Sequence, residues 1–410
     1  MTLSQPDWWA ALGPFAGALK PILAVADSRG ERLALVGGGV RDIILGVPLH
    51  DLDLVLDGDA VEMTRSLART AGGEVRLHPG FGTATWAPRE GASVDIASSR
   101  REHYSRPGAL PEVSYAPLED DLERRDFSIN AMALILGRGE VTLLDPHGGQ
   151  EDLIQRQLRV LHERSFIDDP CRIWRGLRFA ARLGLCRSPM TETRMEEALE
   201  ARALDTLSLQ RLGAELDRCL TETDRGSVIA LGTTWGLWSR LSEELVDSES
   251  LDELAQIPVE EDRSLAWLGL AAGLSESERE RLRDLVPGAS DAQRQWSRGD
   301  SEVRTLLESG VLSDLSKRPS EVGPLLEGRT MPELELLRLR GDDAVVIWLD
   351  WWRETGATLQ SSIDGARLMD LGIPQGPAIG RGKAAALAAA RDGEPESVQL
   401  ERALRVAEST

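Results

Sequence analysis

The 410-residue chain has little of what would tie it to a membrane, a metal cluster or an oxidising compartment. Its three cysteines, Cys171, Cys186 and Cys219, include no Cys-x-x-Cys pair, and His162 is the histidine nearest them in sequence. That spacing suits neither a zinc site nor a disulfide framework, so reduced, structural thiols are expected. The five histidines form no ligand set, and His50, beside Asp51, is assigned a structural hydrogen bond. Apolar residues make up 41% of the chain, yet no window approaches the roughly 20 unbroken apolar residues that cross a bilayer. The opening "MTLSQPDWWAALGPFAGALK" lacks a basic n-region and carries Asp7 and two tryptophans, which is not a signal peptide. A cytoplasmic protein with no membrane partner is expected. An excess of positive charge is also missing: the net charge of -21 argues against indiscriminate nucleic-acid binding through bulk electrostatics.

The charge that is present is unevenly placed. Residues 156–187 hold eight arginines against Glu163, Asp168 and Asp169, a basic stripe inside an acidic chain. Such a stripe can carry a polyanionic ligand or form the solvated face of an amphipathic helix. At this length two to four domains, or a head with a long helical extension, are expected. Between residues 31 and 145 the pattern is mixed α/β. "RLALVGG" and "DLDLVLDG" read as strands with the short helix "VRDIILG" between them, and Asp59 is an N-cap for a helix through Ala71. "EVRLHPGFGTATWAP" and "SVDIASS" read as further strands, the first broken by a Pro-Gly turn. "NAMALILGRGEVTLLDP" reads as a last helix or strand, a Gly-containing turn and a strand. From about Gln150 helical periodicity takes over. In "DPCRIWRGLRFAARLGL" Ile173, Leu177, Ala180 and Ala181 form an apolar stripe, while Arg172, Arg175, Arg178 and Arg182 line another face at spacings of three and four. Beyond about residue 220 the chain is acidic and mostly helical. Its clustered tryptophans, Trp8 with Trp9 and Trp348 with Trp351 and Trp352, are expected to pack.

Two elements bear on chemistry. In "GGGVRDIILGVPLHDLDLVLDG" Asp51 and Asp53 are two residues apart on an expected strand, so their carboxylates share a face and could hold oxygen-loving ions such as Mg²⁺. Two such ions serve the attacking and leaving oxygens of a phosphoryl displacement. Asp95, at the matching position of "SVDIAS", is a candidate third carboxylate. Asp-x-Asp alone is also common on solvated strand edges. The glycine run has neither the G-x-G-x-x-G spacing nor the lysine of a P-loop. It suits close backbone approach to a triphosphate with Arg41 adding charge, or a strand-to-helix turn that simply needs glycine.

The ordered set "GGGVRDIILGVPLHDLDLVL", "GFGTATW", "VDIAS", "EDDLERRDFSINAMAL" and "DDPCRIWRGLRFAARLGL" closely resembles the class II tRNA nucleotidyltransferases, the CCA-adding enzymes and their bacterial poly(A) polymerase relatives. The likeness is strong from about residue 33 to 187, weaker in "LSLQRLGAELDRCL", and returns in "LMDLGIPQGPAIGRGKAAALAAARDGE". The resemblance implies an α+β fold: a polymerase-beta-like nucleotidyltransferase head with a small mixed sheet over 1–150, a helical neck over 151–222, and a helical, tRNA-binding body and tail over 223–410. It further implies that Asp51 and Asp53 carry the catalytic Mg²⁺ with Asp95 beside them, and that Gly37, Gly38 and Arg41 meet the nucleotide phosphates. Arg124, Arg125 and Asp126 would hold and order ribose and triphosphate. Asp169 and Arg172 would read the base, and Arg175 and Arg178 would face the nucleotide from the same helix. A carboxylate can accept from the exocyclic amine that both C and A carry, and a guanidinium can donate to the neighbouring ring acceptors, whereas G and U present the opposite pattern. Carboxylate and guanidinium three residues apart on a helix also make an ordinary surface salt bridge.

Departures from the family pattern are Trp174 in place of a smaller aliphatic, Gly176 where alanine is frequent, and Asp168 where glutamate is frequent. The segment "SRREHYSRPGALPEVSYAPLEDD" corresponds to a flexible loop that in this family helps the site switch from C to A; its "YSRPGALPEV" form also resembles enzymes that add only the final A. The expected activity is template-independent addition of C and A to the tRNA 3′ end from CTP and ATP. The alternatives are an A-adding enzyme completing CC-ended tRNA, a poly(A) polymerase, or an inactive RNA-binding homologue. A small-molecule nucleotidyltransferase would share the Asp-x-Asp logic but leaves the D-D-P-x-R helix unexplained.

Overall fold

The computed structural model describes residues 2–3, 5–137, 141–245, 249–256, 263–271, 274–287, 299 and 301–408. The chain divides into two compact units, Met1–Leu231 and Gly232–Thr410. The expected head and neck both fall in the first, whose centre is one eight-stranded sheet.

Its strands are β1 (Thr2–Leu3), β2 (Arg32–Val36), β3 (Asp53–Asp57), β4 (Glu74–His78), β5 (Thr83–Ala87), β6 (Val94–Ser98), then, after the β7 (Arg100–His103) and β8 (Glu112–Tyr115) hairpin, β9 (Ala133–Leu136) and β10 (Val141–Leu144). The sheet order is β1-β10-β9-β2-β3-β6-β5-β4, antiparallel except for β3 and β6, which run parallel. The "NAMALIL" segment is therefore a strand rather than a helix, and residues 138–140 of its turn lie outside the described residues. β2 is apolar along nearly its whole length because both its faces are covered. The helix Ala16–Arg29 (α1) and the helix Ala60–Ala71 (α2) pack on one side. On the other, Leu118 and Leu122 of helix Leu118–Glu123 (α3) join Ala34, Val36, Val55 and Ala133 in a core. Asp59 caps α2 as expected, its carboxylate accepting from the Glu62 N–H at 3.0 Å. β5 and β6 alternate buried with more exposed residues, because α2 covers only one of their faces.

After the sheet come the helices Cys171–Leu183 (α4) and Leu209–Leu220 (α5), which pack against each other. α4 starts after Pro170, where a missing N–H costs nothing, and stops at left-handed Gly184. Ile173, Leu177, Ala180 and Ala181 are buried, as the stripe required. Gly176 has a packing reason: a Cβ there would lie 2.8 Å from Cζ of Phe127. Trp174 is fully buried at 1% exposure.

The second unit is helical in its described residues. Its last two helices, Pro377–Arg391 and Glu396–Glu408, pack on each other around Ile363, Leu368, Ile373, Ala386, Ala403 and Ala407. Trp348 and Trp352 are buried, and the Trp348 and Trp351 rings meet edge-on with centroids 5.8 Å apart. Trp8 is likewise buried against Trp9, so these clusters pack as expected. Among the described residues no helix is long and apolar enough to cross a membrane. Cys171 and Cys219 are buried and Cys186 exposed, all three free.

Candidate active site

The parallel pairing of β3 with β6 sets Asp53 directly opposite Asp95 on one sheet face. Asp51 stands exposed just before β3 rather than within it. The protein around Asp53 strips part of its water, and Asp51 and Asp95 add like charge, so its carboxyl is pushed above the ordinary carboxylate value against the pull of Arg125. Asp95 accepts from Thr85 Oγ1 at 2.5 Å.

Such crowding of oxygen-only donors suits a hard divalent cation, which would relieve the repulsion. Among the described residues no three His, Cys, Asp or Glu side chains already stand in ligand geometry. The fit thus rests on the Asp51 and Asp53 carboxylates with Asp95 as neighbour.

At the end of β2 the glycine run turns into the helix Gly38–Leu45. Gly37 has φ +70°, and a Cβ there would lie 2.8 Å from Nη1 of Arg125. Glycine is therefore needed both for the turn and for the approach of a guanidinium. Arg125 and Arg124 are held from below by Asp121, which is wholly buried: its two oxygens accept from Arg124 Nε and Arg125 Nη2, each at 2.9 Å. Burial alone would raise the Asp121 carboxyl, but the Arg125 and Arg124 guanidiniums overrule it and hold it below the usual range.

Asp126 orders the opposite wall. Its Oδ2 accepts from Arg175 Nε at 2.9 Å and Nη2 at 2.6 Å, and its Oδ1 accepts from Asn130 Nδ2 at 3.1 Å. Burial pushes this carboxyl up and Arg175 more than reverses the push, leaving it lowered. Asn130 Oδ1 in turn accepts from Arg41 Nη1 at 2.8 Å, and Arg41 also pairs with Asp42. The guanidiniums of Arg41, Arg175 and Arg178 surround the ring of Phe179, 5.4, 5.7 and 6.0 Å from its centroid. Arg178 also meets Glu215 at 3.4 Å and Glu222 at 3.3 Å, while Arg182 turns to Glu222.

The Asp169 and Arg172 pair does not form a mutual salt bridge. Asp169 Oδ1 accepts from the Cys171 N–H at 3.1 Å and from Arg211 Nη2 at 2.7 Å. Arg172 donates through Nη1 to Ser165 Oγ at 2.8 Å and through Nη2 to the Arg124 carbonyl at 2.7 Å. Asp168 faces Arg164. Burial beside Asp169 pushes the Cys171 thiol up to about 12.

Gly37, Gly38, Arg41, Asp53, Arg124, Arg125, Asp126, Asp169, Arg172, Arg175 and Arg178 all line one cleft of about 660 Å³. A second cavity of about 420 Å³ shares Asp53, Arg124 and Arg125 with it and holds Asp95, Thr85, His78 and Arg100 on its far side. Tyr104, Asn130, Phe179, Arg211 and Arg218 also line the cleft and were not singled out from sequence. For four residues of α5 a signal existed: Ala214, Glu215 and Arg218 stand three, four and seven positions after Arg211, on one helix face.

Asp53, Asp126, Asp169 and a set of arginines thus line one cleft beside a small mixed sheet, an arrangement suited to a nucleoside triphosphate. Residues 33–159 match the family described as the poly A polymerase head domain. The chain is 34% identical to the A-adding tRNA nucleotidyltransferase of Halalkalibacterium halodurans over 88% of its length and 84% of that protein's. It is 33% identical to the CC-adding tRNA nucleotidyltransferase of Deinococcus radiodurans over 98% and 96%. A solved complex of a CCA-adding enzyme with ATP superposes with a TM-score of 0.81 at 25% identity, covering 100% of both chains. The chain belongs to the tRNA nucleotidyltransferase family.

Proposed function

We propose that the protein extends the 3′ end of tRNA with C and A from CTP and ATP, without a nucleic-acid template, in the cytoplasm and with Mg²⁺. The observation that supports this reading is that the Asp53 carboxylate, a set of arginines and the Asp169 carboxylate line one cleft, with Asp95 paired to Asp53 across the sheet. The triphosphate lies along Gly37 and Gly38 with Arg124 and Arg125 over it, since their guanidiniums are already aimed by Asp121. Arg41, Arg175 and Arg178 add positive charge from around Phe179. Mg²⁺ at Asp51 and Asp53 would acidify the 3′-hydroxyl and neutralise charge on the α-phosphate.

In-line displacement sets the approach: the 3′-oxygen bonds to the α-phosphorus as its bond to the pyrophosphate oxygen breaks, and the two oxygens lie on opposite sides. The cleft takes the leaving side, and the Asp95 cavity beyond Asp53 takes the primer terminus. With Oδ1 of Asp169 occupied, its Oδ2 accepts from the amine of cytosine or adenine, and Arg172 retains further N–H groups for ring acceptors. In this reading residues 1–150 are the catalytic head, 151–222 the neck that presents the base reader, and 223–410 the part that gauges tRNA by backbone and A-form shape.

The test is nucleotide addition to tRNAs ending before CCA, after C and after CC, each given CTP, ATP or both with Mg²⁺. Complete CCA on the shortest substrate is expected. A single A on the CC-ended substrate alone would assign the final step only, and no addition to any of them would overturn the reading.

A further inference from the structure

Three guanidiniums gather on one aromatic ring at the wall of the cleft. Those of Arg41, Arg175 and Arg178 lie 5.4, 5.7 and 6.0 Å from the Phe179 centroid, and all four residues line the cleft. Like charges at this spacing repel. Each cation has polar partners of its own: Arg41 meets Asp42 and Asn130, Arg175 meets Asp126, and Arg178 meets Glu215 and Glu222. What all three touch is the ring.

We propose that Phe179 is a positioning residue for the triphosphate: its ring holds the Arg41, Arg175 and Arg178 guanidiniums together before a nucleotide arrives, so that the phosphates meet cations already in place. The proposal rests on the reading of the cleft as a nucleoside triphosphate site.

The ring is itself held from below. Phe179 is 7% exposed, and its ring meets that of Phe127 at 87° with centroids 6.0 Å apart. Phe127 is wholly buried, rests against Phe166 at 6.3 Å, and occupies the space that Gly176 leaves open. Phe179 therefore cannot turn its face away without disturbing a close-packed aromatic row.

The attraction is strong enough to order the cations. A guanidinium near the face of an aromatic ring is drawn by the ring quadrupole, most when water is excluded, and Arg41 and Arg178 are 5% and 8% exposed. A leucine would fill much of the same space and exert no such pull. Arginine loses much rotamer freedom when it grips a ligand, so ordering it beforehand returns affinity. The effect belongs to the phosphates and not to the base, because the ring acts on none of the contacts of Asp169 or Arg172.

The experiment replaces Phe179 with phenylalanines carrying one, two and three ring fluorines, which withdraw charge from the ring face with little change in volume, and in parallel makes Phe179→Leu. Affinities for inorganic tripolyphosphate, ATP and CTP are measured by calorimetry, with thermal unfolding followed beside them. Affinity for all three ligands is expected to fall stepwise with each fluorine at constant unfolding temperature, and Phe179→Leu to lose about fivefold or more. ATP and CTP should lose equally. Affinities that ignore fluorination would overturn the proposal and leave Phe179 a packing residue, whether or not Phe179→Leu folds. Failure of the unaltered protein to bind tripolyphosphate would overturn it too. If the unaltered protein binds tripolyphosphate but adds no nucleotide to tRNA, the tRNA-extending reading fails, and the fluorine series still decides on Phe179.

Discussion

The two units of this chain solve burial in opposite ways. Among the described residues, all but three of the buried polar or charged side chains lie in the first unit, the exceptions being Ser242, Arg279 and Arg391. The second unit is closed by aliphatic contacts such as Leu368 against Ala386 and Ala403, and by tryptophan edges. Charges buried in pairs return less stability than hydrophobic contacts of the same volume, because their desolvation offsets most of the attraction. The first unit therefore holds ordered guanidiniums at the expense of stability, as a site for a polyanion requires, while the second unit is free to be a conventional core.

The contrast can be broken most visibly at Asp53. Asp53→Ala is expected to slow nucleotide addition by at least about 10³-fold, since a cation ligand is worth several kcal/mol of transition-state stabilisation, with thermal unfolding unchanged. Single-turnover rates near those of the unaltered protein would remove Asp53 from the centre of the site. In the second unit, Leu368→Ala truncates a fully buried side chain and should cost about 3 kcal/mol. That loss should appear in denaturant unfolding while ATP binding to the first unit is retained; a parallel loss of ATP affinity would show that the units do not behave separately.

A smaller effect tests the buried charges themselves. Asp126→Asn leaves Arg175 without its carboxylate, at a cost of about 2 kcal/mol, toward the low end because Arg175 reaches the open cleft. The acid response has a definite sign. Asp121 and Asp126 are lowered in the folded protein, so their contribution is present above the unfolded carboxylate pKa of about 4 and is lost as pH falls through the lower folded values. The first unit should lose stability on acidification between pH 5 and 2, and Asp126→Asn should flatten that loss. An acid profile identical in the variant would assign the sensitivity elsewhere.

Much of this was legible in the sequence because it is local. The glycine turn, the Asp59 cap, the strand carrying Asp53 and the apolar stripe of α4 each depend on residues a few positions apart. The partners of the charged residues were not. Arg172 meets the carbonyl of Arg124, Arg175 meets Asp126, and Asp169 meets Arg211; each contact joins segments that only the tertiary fold brings together. The i, i+3 spacing of Asp169 and Arg172 suggested neighbours, but Asp169 precedes the helix with extended φ and ψ, so helical adjacency does not apply to it. Gly176, which in the sequence is only a departure from a frequent alanine, leaves the space into which Phe127 fits.

The parallel pairing of β3 with β6 also carries a consequence in time. Residues 53 and 95 are joined by a parallel pairing across the helix α2 and the β4–β5 hairpin that separate them in sequence, and such non-local pairing is among the slower events of folding. A nascent chain that has emerged only as far as β4 has the glycine turn and the first carboxylates but no third carboxylate beside them. Completion of the sheet at β6 is thus what places the third carboxylate beside Asp53.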